Sequence, residues 1–171
     1  CRGNHEIRGI DSTRLLDYLP TNTGEFYYDF TYGSLWGVVI DTGDDRPDTH
    51  QYQGLLANYR NYLAKEENWL RDLKKPTTDP ETGIAIKYRL GIHHMPNLES
   101  LGRKVDFEED TKKVTYWYPG VNITDSMAHL DLQFAVAGHD HAYRIYDNSI
   151  RPSGELTPAE EADKTNVKGS I

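Results

Sequence analysis

The chain has 171 residues, enough for one domain with a sizeable core, and its 37% hydrophobic and 27% charged residues fit a globular rather than a disordered chain. A formal net charge of −8 argues against nonspecific nucleic-acid binding, which depends on Lys and Arg neutralising phosphates. The one cysteine, Cys1, excludes an intrachain disulfide and a cysteine-based zinc site, and no apolar run reaches the roughly 18 residues that predict a membrane-spanning helix.

In chain order, the first cluster is Gly3-Asn4-His5-Glu6, which gathers an amide, an imidazole and a carboxyl group. Residues 26–41 (FYYDFTYGSLWGVVID) predict two strands around a turn at Gly33-Ser34. The second, Leu35 to Ile40, is nearly all apolar, as suits a strand buried on both faces. Residues 42–50 (TGDDRPDTH) read as a polar loop. Leu55 to Leu73 carries apolar residues at a helical period and ends at Lys74, Lys75 and Pro76. Glu66 and Glu67 interrupt that stripe and read as a solvated face.

A strand over residues 84–92 (IAIKYRLGI) delivers His93 and His94 at its C-terminal end. Residues 97–128, with FEEDTKK and the strand-like VTYWY, read as an insertion over a site. A further strand over 130–137 (LDLQFAVA) runs into Gly138-His139-Asp140-His141. Residues 151–171 read as a polar C-terminal tail. These elements predict an α/β domain over 1–150.

Two histidine clusters thus follow predicted strands, where ligand-binding groups of α/β sheets gather. A sharp turn at Gly138 would direct both His139 and His141 toward one cavity. Imidazoles beside an amide oxygen suit Zn, Mn, Fe or Co. His50 and His129, each alone, read as ordinary polar residues.

GNHE at 3–6, GIHHMP at 91–96 and GHDH at 138–141 appear in that order. In this the chain resembles the calcineurin-like metallophosphoesterase superfamily, whose five blocks run DxH, GDxxD, GNH(D/E), a histidine after a strand, and GHxH. AGHDHAYRIY is similar to the purple acid phosphatase branch and its bacterial relatives. The first two blocks are absent from these 171 residues, and GDD at 43–45 does not fit the second. The resemblance therefore implies the C-terminal part of a larger phosphoesterase. The implied fold is a partial four-layer αββα sandwich lacking its N-terminal strands.

The resemblance also implies the site. Asn4, the fourth-block histidine and His139 would bind one metal, and His141 the other. His94-Met95-Pro96 fits the usual His-x-Pro pattern, with His93 the competing ligand. His5 would not bind metal but would sit near the leaving group as a general acid or transition-state stabiliser. The cofactors of the intact enzyme would be two divalent or Fe/Mn/Zn-type metal ions, with partial occupancy or none in this chain. The substrate would be a phosphate ester, attacked by a metal-activated water. The chain alone would be poorly active, because the bridging aspartate belongs to the missing blocks. Loss of those strands would leave an open sheet edge, which invites homodimerisation. An exported or periplasmic bacterial protein is the favoured compartment. Two other readings stay open: a non-catalytic binding or assembly domain that keeps the fold, and a mononuclear hydrolase using His94, His139 and His141.

Overall fold

The computed structural model describes residues 1–9, 11–44, 58–95, 106–108, 113–115, 123–139 and 141. Most of the 97–128 stretch, the 151–171 tail, the start of the long helix, His50 and Asp140 lie outside these residues.

The chain begins with a single turn of helix, α1 (Asn4–Ile7), then a 3-10 turn at Ser12–Arg14 and a second short helix, α2 (Leu15–Tyr18). Helices this short are not stable alone. They rely on tertiary contacts.

The sheet starts as an antiparallel hairpin of β1 (Tyr28–Tyr32) and β2 (Leu35–Val39). Tyr32 pairs with Leu35, so Gly33-Ser34 is a two-residue loop. Gly33 adopts φ +59°, the conformation such tight hairpin turns require. Val38, Val39 and Ile40 are almost wholly buried, as the unbroken apolar run predicts. Trp36 is buried too, and its indole Nε1 donates to Asp29 Oδ2 at 2.9 Å.

The long helix α3 (Tyr59–Asp72) crosses back to β3 (Tyr88–Ile92), which runs parallel to β2. A strand pair, β4 (Asp106–Glu108) and β5 (Lys113–Thr115), forms a separate antiparallel ladder. Helix α4 (Ile123–Met127) and a 3-10 turn at Ala128–Leu130 then lead to β6 (Phe134–Val136), parallel to β3. The four-stranded sheet has the order β1-β2-β3-β6. It is a mixed sheet with helical crossovers, an α/β arrangement, as parallel neighbours demand.

One face of the sheet builds the core. Trp36, Val38 and Ile40 of β2 meet Leu63 and Leu70 of α3, Ile123 and Met127 of α4, and Leu130. Each such side chain contributes about 1.5–3 kcal/mol on burial. α4 lies within the stretch read from sequence as an insertion, yet its Ile123 and Met127 are core residues.

Two predicted strands are shorter than their apolar patterns suggest. Residues 84–87 do not extend β3. Ile86 N–H donates to Thr77 O at 2.9 Å and Asp79 N–H to Ile84 O at 2.8 Å, which folds this piece onto a local loop. In 130–137, Leu130 closes the 3-10 turn and Asp131 takes a left-handed φ of +49°, so the strand begins only at Phe134.

Candidate functional site

The parallel strands β2, β3 and β6 end at one edge of the sheet. Their ladder continues past the strands proper: Ile40 N–H donates to Ile92 O, His93 N–H to Val136 O, and Gly138 N–H to His94 O. Residues 41–44, 93–95 and 137–139 therefore emerge side by side. α1 lies against this edge.

Three side chains from distant parts of the chain meet there. Asn4 Oδ1 lies 2.9 Å from His94 Nε2. His139 Nδ1 lies 3.2 Å from the same His94 nitrogen, with the two rings edge-on. Nε2 of a neutral imidazole carries one proton or one lone pair, never both. It cannot satisfy an amide oxygen and a second ring nitrogen as two full hydrogen bonds. Three lone-pair donors converging in this way are the arrangement a cation satisfies. Ligand bonds of about 2.1 Å put neighbouring donor atoms about 3.0–3.4 Å apart, close to both separations.

Local structure explains how each residue arrives. Asn4 is the buried first residue of α1. Glu6 Oε2 reaches back to accept Gly3 N–H at 2.9 Å, half of a capping box. A Cβ on Gly3 would lie 2.6 Å from Glu6 Oε2 and 3.1 Å from the His94 ring, so only glycine lets the histidine approach. His93 and His94 follow β3 and alternate faces, as consecutive extended residues do. His93 turns into the core, with Nδ1 2.7 Å from Met95 O. Burial lowers its pKa, so it stays neutral there. Of the two candidates, His94 is the one that meets Asn4 and His139.

The turn after β6 is built differently from expectation. Gly138 does not take the left-handed conformation; the histidines do, His139 at φ +75° and His141 at φ +52°. Non-glycine residues held there are strained by roughly 1–3 kcal/mol, and such strain concentrates at functional sites. His141 is exposed beyond the trio, and His5 is exposed beside buried Asn4. Among the described residues, no group of three or more His, Cys, Asp or Glu side chains is placed to hold a metal. The trio has two histidines and an amide.

A buried polar layer beneath the trio was not foreseen. Thr42 and Asp44, from the stretch read as a polar loop, and Asp41 just before it are at most 1% exposed. Glu66 is wholly buried and Glu67 nearly so, which overturns the solvated-face reading of α3. Glu66 Oε1 accepts Asp41 N–H at 2.8 Å, while Glu67 accepts from Arg71 and from Ser126 of α4. Burial, reinforced by the Asp41 charge, raises the Glu66 pKa well above the usual carboxyl range. The same surroundings push the Tyr62 phenol up as well. A weak sequence signal existed: Arg2 and Arg8 flank GNHE, and Asp41 and Asp44 follow the end of β2.

No family model matches the chain, and neither a curated protein nor a solved structure matches it.

Proposed function

We propose that the chain carries one part of a metal-dependent phosphoesterase centre of the calcineurin-like kind. In this reading Asn4, His94 and His139 hold one divalent metal and His141 contributes to a second. The single observation that supports it most is the convergence of Asn4 Oδ1, His94 Nε2 and His139 Nδ1 within hydrogen-bonding distance at the C-terminal edge of parallel strands. The three GNHE, GIHHMP and GHDH motifs supply the members in order.

A metal bound there would neutralise phosphoryl oxygens and lower the pKa of a bound water. The chain's own residues have simpler tasks. Asn4 offers an uncharged oxygen, and the two imidazoles offer neutral nitrogens. His5, exposed next to Asn4, would protonate or stabilise a departing alkoxide. The carboxylate ligands of the second metal belong to motifs absent from these 171 residues, so turnover by the chain alone should be low.

The finer fold assignment, half of an αββα sandwich, rests on the sheet's second face. Phe30, Gly37, Leu90 and Phe134 lie in one row across the four strands. Phe134 and Val136 remain 47% and 43% exposed on that face. A second sheet would cover it. Pairing of two copies along β6, one of the two edge strands of the described sheet, is the homodimer this reading allows; a strictly monomeric chain by light scattering removes it.

Calorimetric titration with Mn²⁺ and with Zn²⁺ tests the metal assignment. Binding by the 171-residue chain that disappears in Asn4→Ala and in His139→Ala supports it. A chain that takes neither metal, or variants that bind as well as the parent, refutes it. Hydrolysis of p-nitrophenyl phosphate and bis(p-nitrophenyl) phosphate then separates an enzymatic site from a binding domain.

A further inference from the structure

α1 is four residues long and pairs with no strand among the described residues, yet it must hold Asn4 to a few tenths of an ångström from its place against His94. Its attachments are ionic, one buried and one partly buried. On one side of it, Arg2 directs Nε and Nη2 at Asp41 Oδ2, at 3.1 and 2.5 Å. On the other, Arg8 grips Asp44 with a two-pronged contact, Nε to Oδ2 at 3.1 Å and Nη2 to Oδ1 at 2.6 Å. Planar guanidinium forks fix direction as well as distance. The Arg2 guanidinium also lies 3.8 Å from the centre of the Phe26 ring, which restricts its remaining freedom.

The other side of the same short turn is bonded to the histidine loop. Thr42 Oγ1 accepts Met95 N–H at 3.2 Å, one residue beyond His94. Ile40 N–H is already paired with Ile92 O, two residues before it. From below, Glu66 Oε1 holds Asp41 N–H, and Asp41 Oδ1 takes Gly43 N–H at 3.3 Å. Residues 41–44 thus touch both halves of the trio: α1 through two arginines, and the His94 loop through Thr42.

We infer that the Asp41–Asp44 turn is a positioning clamp, in which Asp41 and Arg2 set Asn4 against His94. Its functional consequence rests on the metal reading above; its geometric content does not. A buried ion pair adds little net stability over a well-packed apolar pair, because desolvation offsets the attraction. The buried Arg2–Asp41 pair and the partly buried Arg8–Asp44 pair around one helical turn are better explained by the geometry they enforce. Both carboxylates are engaged by guanidinium groups, so they serve the trio by holding it and do not join it.

The test uses the metal-free 171-residue chain and long-range ¹H–¹⁵N correlation of its imidazole nitrogens. Asn4→Ala defines the shift that His94 Nε2 shows when its amide partner is lost. Asp41→Asn removes the charge that holds Arg2. Arg2→Lys keeps the charge but loses the fork, and it carries the test if Asp41→Asn does not fold. Lys75→Ala breaks the surface pair with Asp131 and serves as the control. The clamp predicts that Asp41→Asn and Arg2→Lys move the His94 signal in the same direction as Asn4→Ala. His129, whose Nε2 is bonded to Leu73 O, should stay still in all variants. A His94 signal at its wild-type position in a folded Asp41→Asn or Arg2→Lys protein overturns the clamp. So does an equal shift of His129, since that marks a general loss of structure. Zn²⁺ titration of the same set should then show at least a tenfold weaker Kd in both clamp variants and none in Lys75→Ala. If Asn4→Ala binds Zn²⁺ as well as wild type, the metal reading fails, and the imidazole shifts still decide the clamp.

Discussion

Replacing Glu66 by glutamine should make the protein progressively more stable than wild type as the pH rises from about 4 toward 8. The Glu66 side chain is wholly buried, Oε1 is taken by Asp41 N–H, and Oε2 has no partner among the described residues. Burial first, then the Asp41 charge, raises its pKa; the Asp41 N–H bond and Arg2 oppose this and do not prevail. Below the ordinary value of 4.5, folded and unfolded chains both hold the proton, and the contribution of the neutral acid is fully present. Above it, the unfolded chain releases the proton while the folded chain keeps it. Stability then falls by about 1.4 kcal/mol per pH unit until the folded-state pKa is reached. The glutamine side chain has the shape of the protonated acid, can still accept Asp41 N–H, and does not titrate. The gap between the two proteins should therefore be small near pH 4 and widen at that slope, about tenfold in the folding constant per unit. Urea unfolding followed by tryptophan fluorescence at half-unit pH steps reads the gap directly, and taking the difference removes groups that titrate alike in both. Two parallel stability curves would show that Glu66 keeps an ordinary pKa. A Glu66→Gln protein that loses ground with rising pH would show that Glu66 is ionised and held by Arg2.

Gly3→Ala keeps an allowed backbone, φ −95°, but sets a methyl group against Glu6 and the His94 ring. It should lower stability by no more than about 1 kcal/mol, the order of a helix cap, while weakening Zn²⁺ binding severalfold in calorimetry. His139→Gly relieves the φ of +75° and should raise stability by up to about 1 kcal/mol while abolishing metal binding; His139→Ala should lose binding without that gain, as paired thermal melts and titrations can show. Gly37→Ala would place a Cβ 2.3 Å from the Phe30 ring, so it should cost about 1–3 kcal/mol in urea unfolding. Adding Phe30→Leu should recover part of that loss, and no recovery would mean that the strain lies elsewhere.

Local patterns announce much of this molecule. The apolar run of β2 reads as a doubly buried strand and is one, flanked by β1 and β3. Gly33-Ser34 reads as the hairpin turn and forms it. His94 and His139 follow strands and meet at their ends. What stays hidden in the sequence depends on partners far along the chain. Glu66 looks solvated until Asp41 N–H, 25 positions away, is found against it. Residues 42–44 look like an exposed loop until Arg8, 36 positions before Asp44, is placed on that carboxylate. Residues 84–87 alternate like a strand, but the Asp79 carboxylate takes the backbone N–H groups of Gly33, Glu81 and Thr82 and bends the preceding loop against the hairpin. Periodicity records which residues prefer burial and says little about which polar groups a distant segment will satisfy.

Several of the places where local rules fail lie together. Buried Asp41, Thr42 and Asp44 and left-handed His139 and His141 all occupy the loops that leave the C-terminal ends of β2 and β6. Away from that edge the sheet is locally consistent: apolar central strands, a two-residue hairpin with glycine at positive φ, and a parallel ladder with helical crossovers. A stable fold has no need of one buried and one partly buried ion pair and two strained histidines in one spot, since apolar residues and glycine would serve it better. Sequences retain such departures where they set a geometry that packing alone would not choose. Here the geometry they surround is the approach of Asn4 and His139 to His94. That concentration is a physical reason, independent of any motif, to expect the chemistry at this edge. It also means that stabilising substitutions such as His139→Gly should be the ones that remove binding.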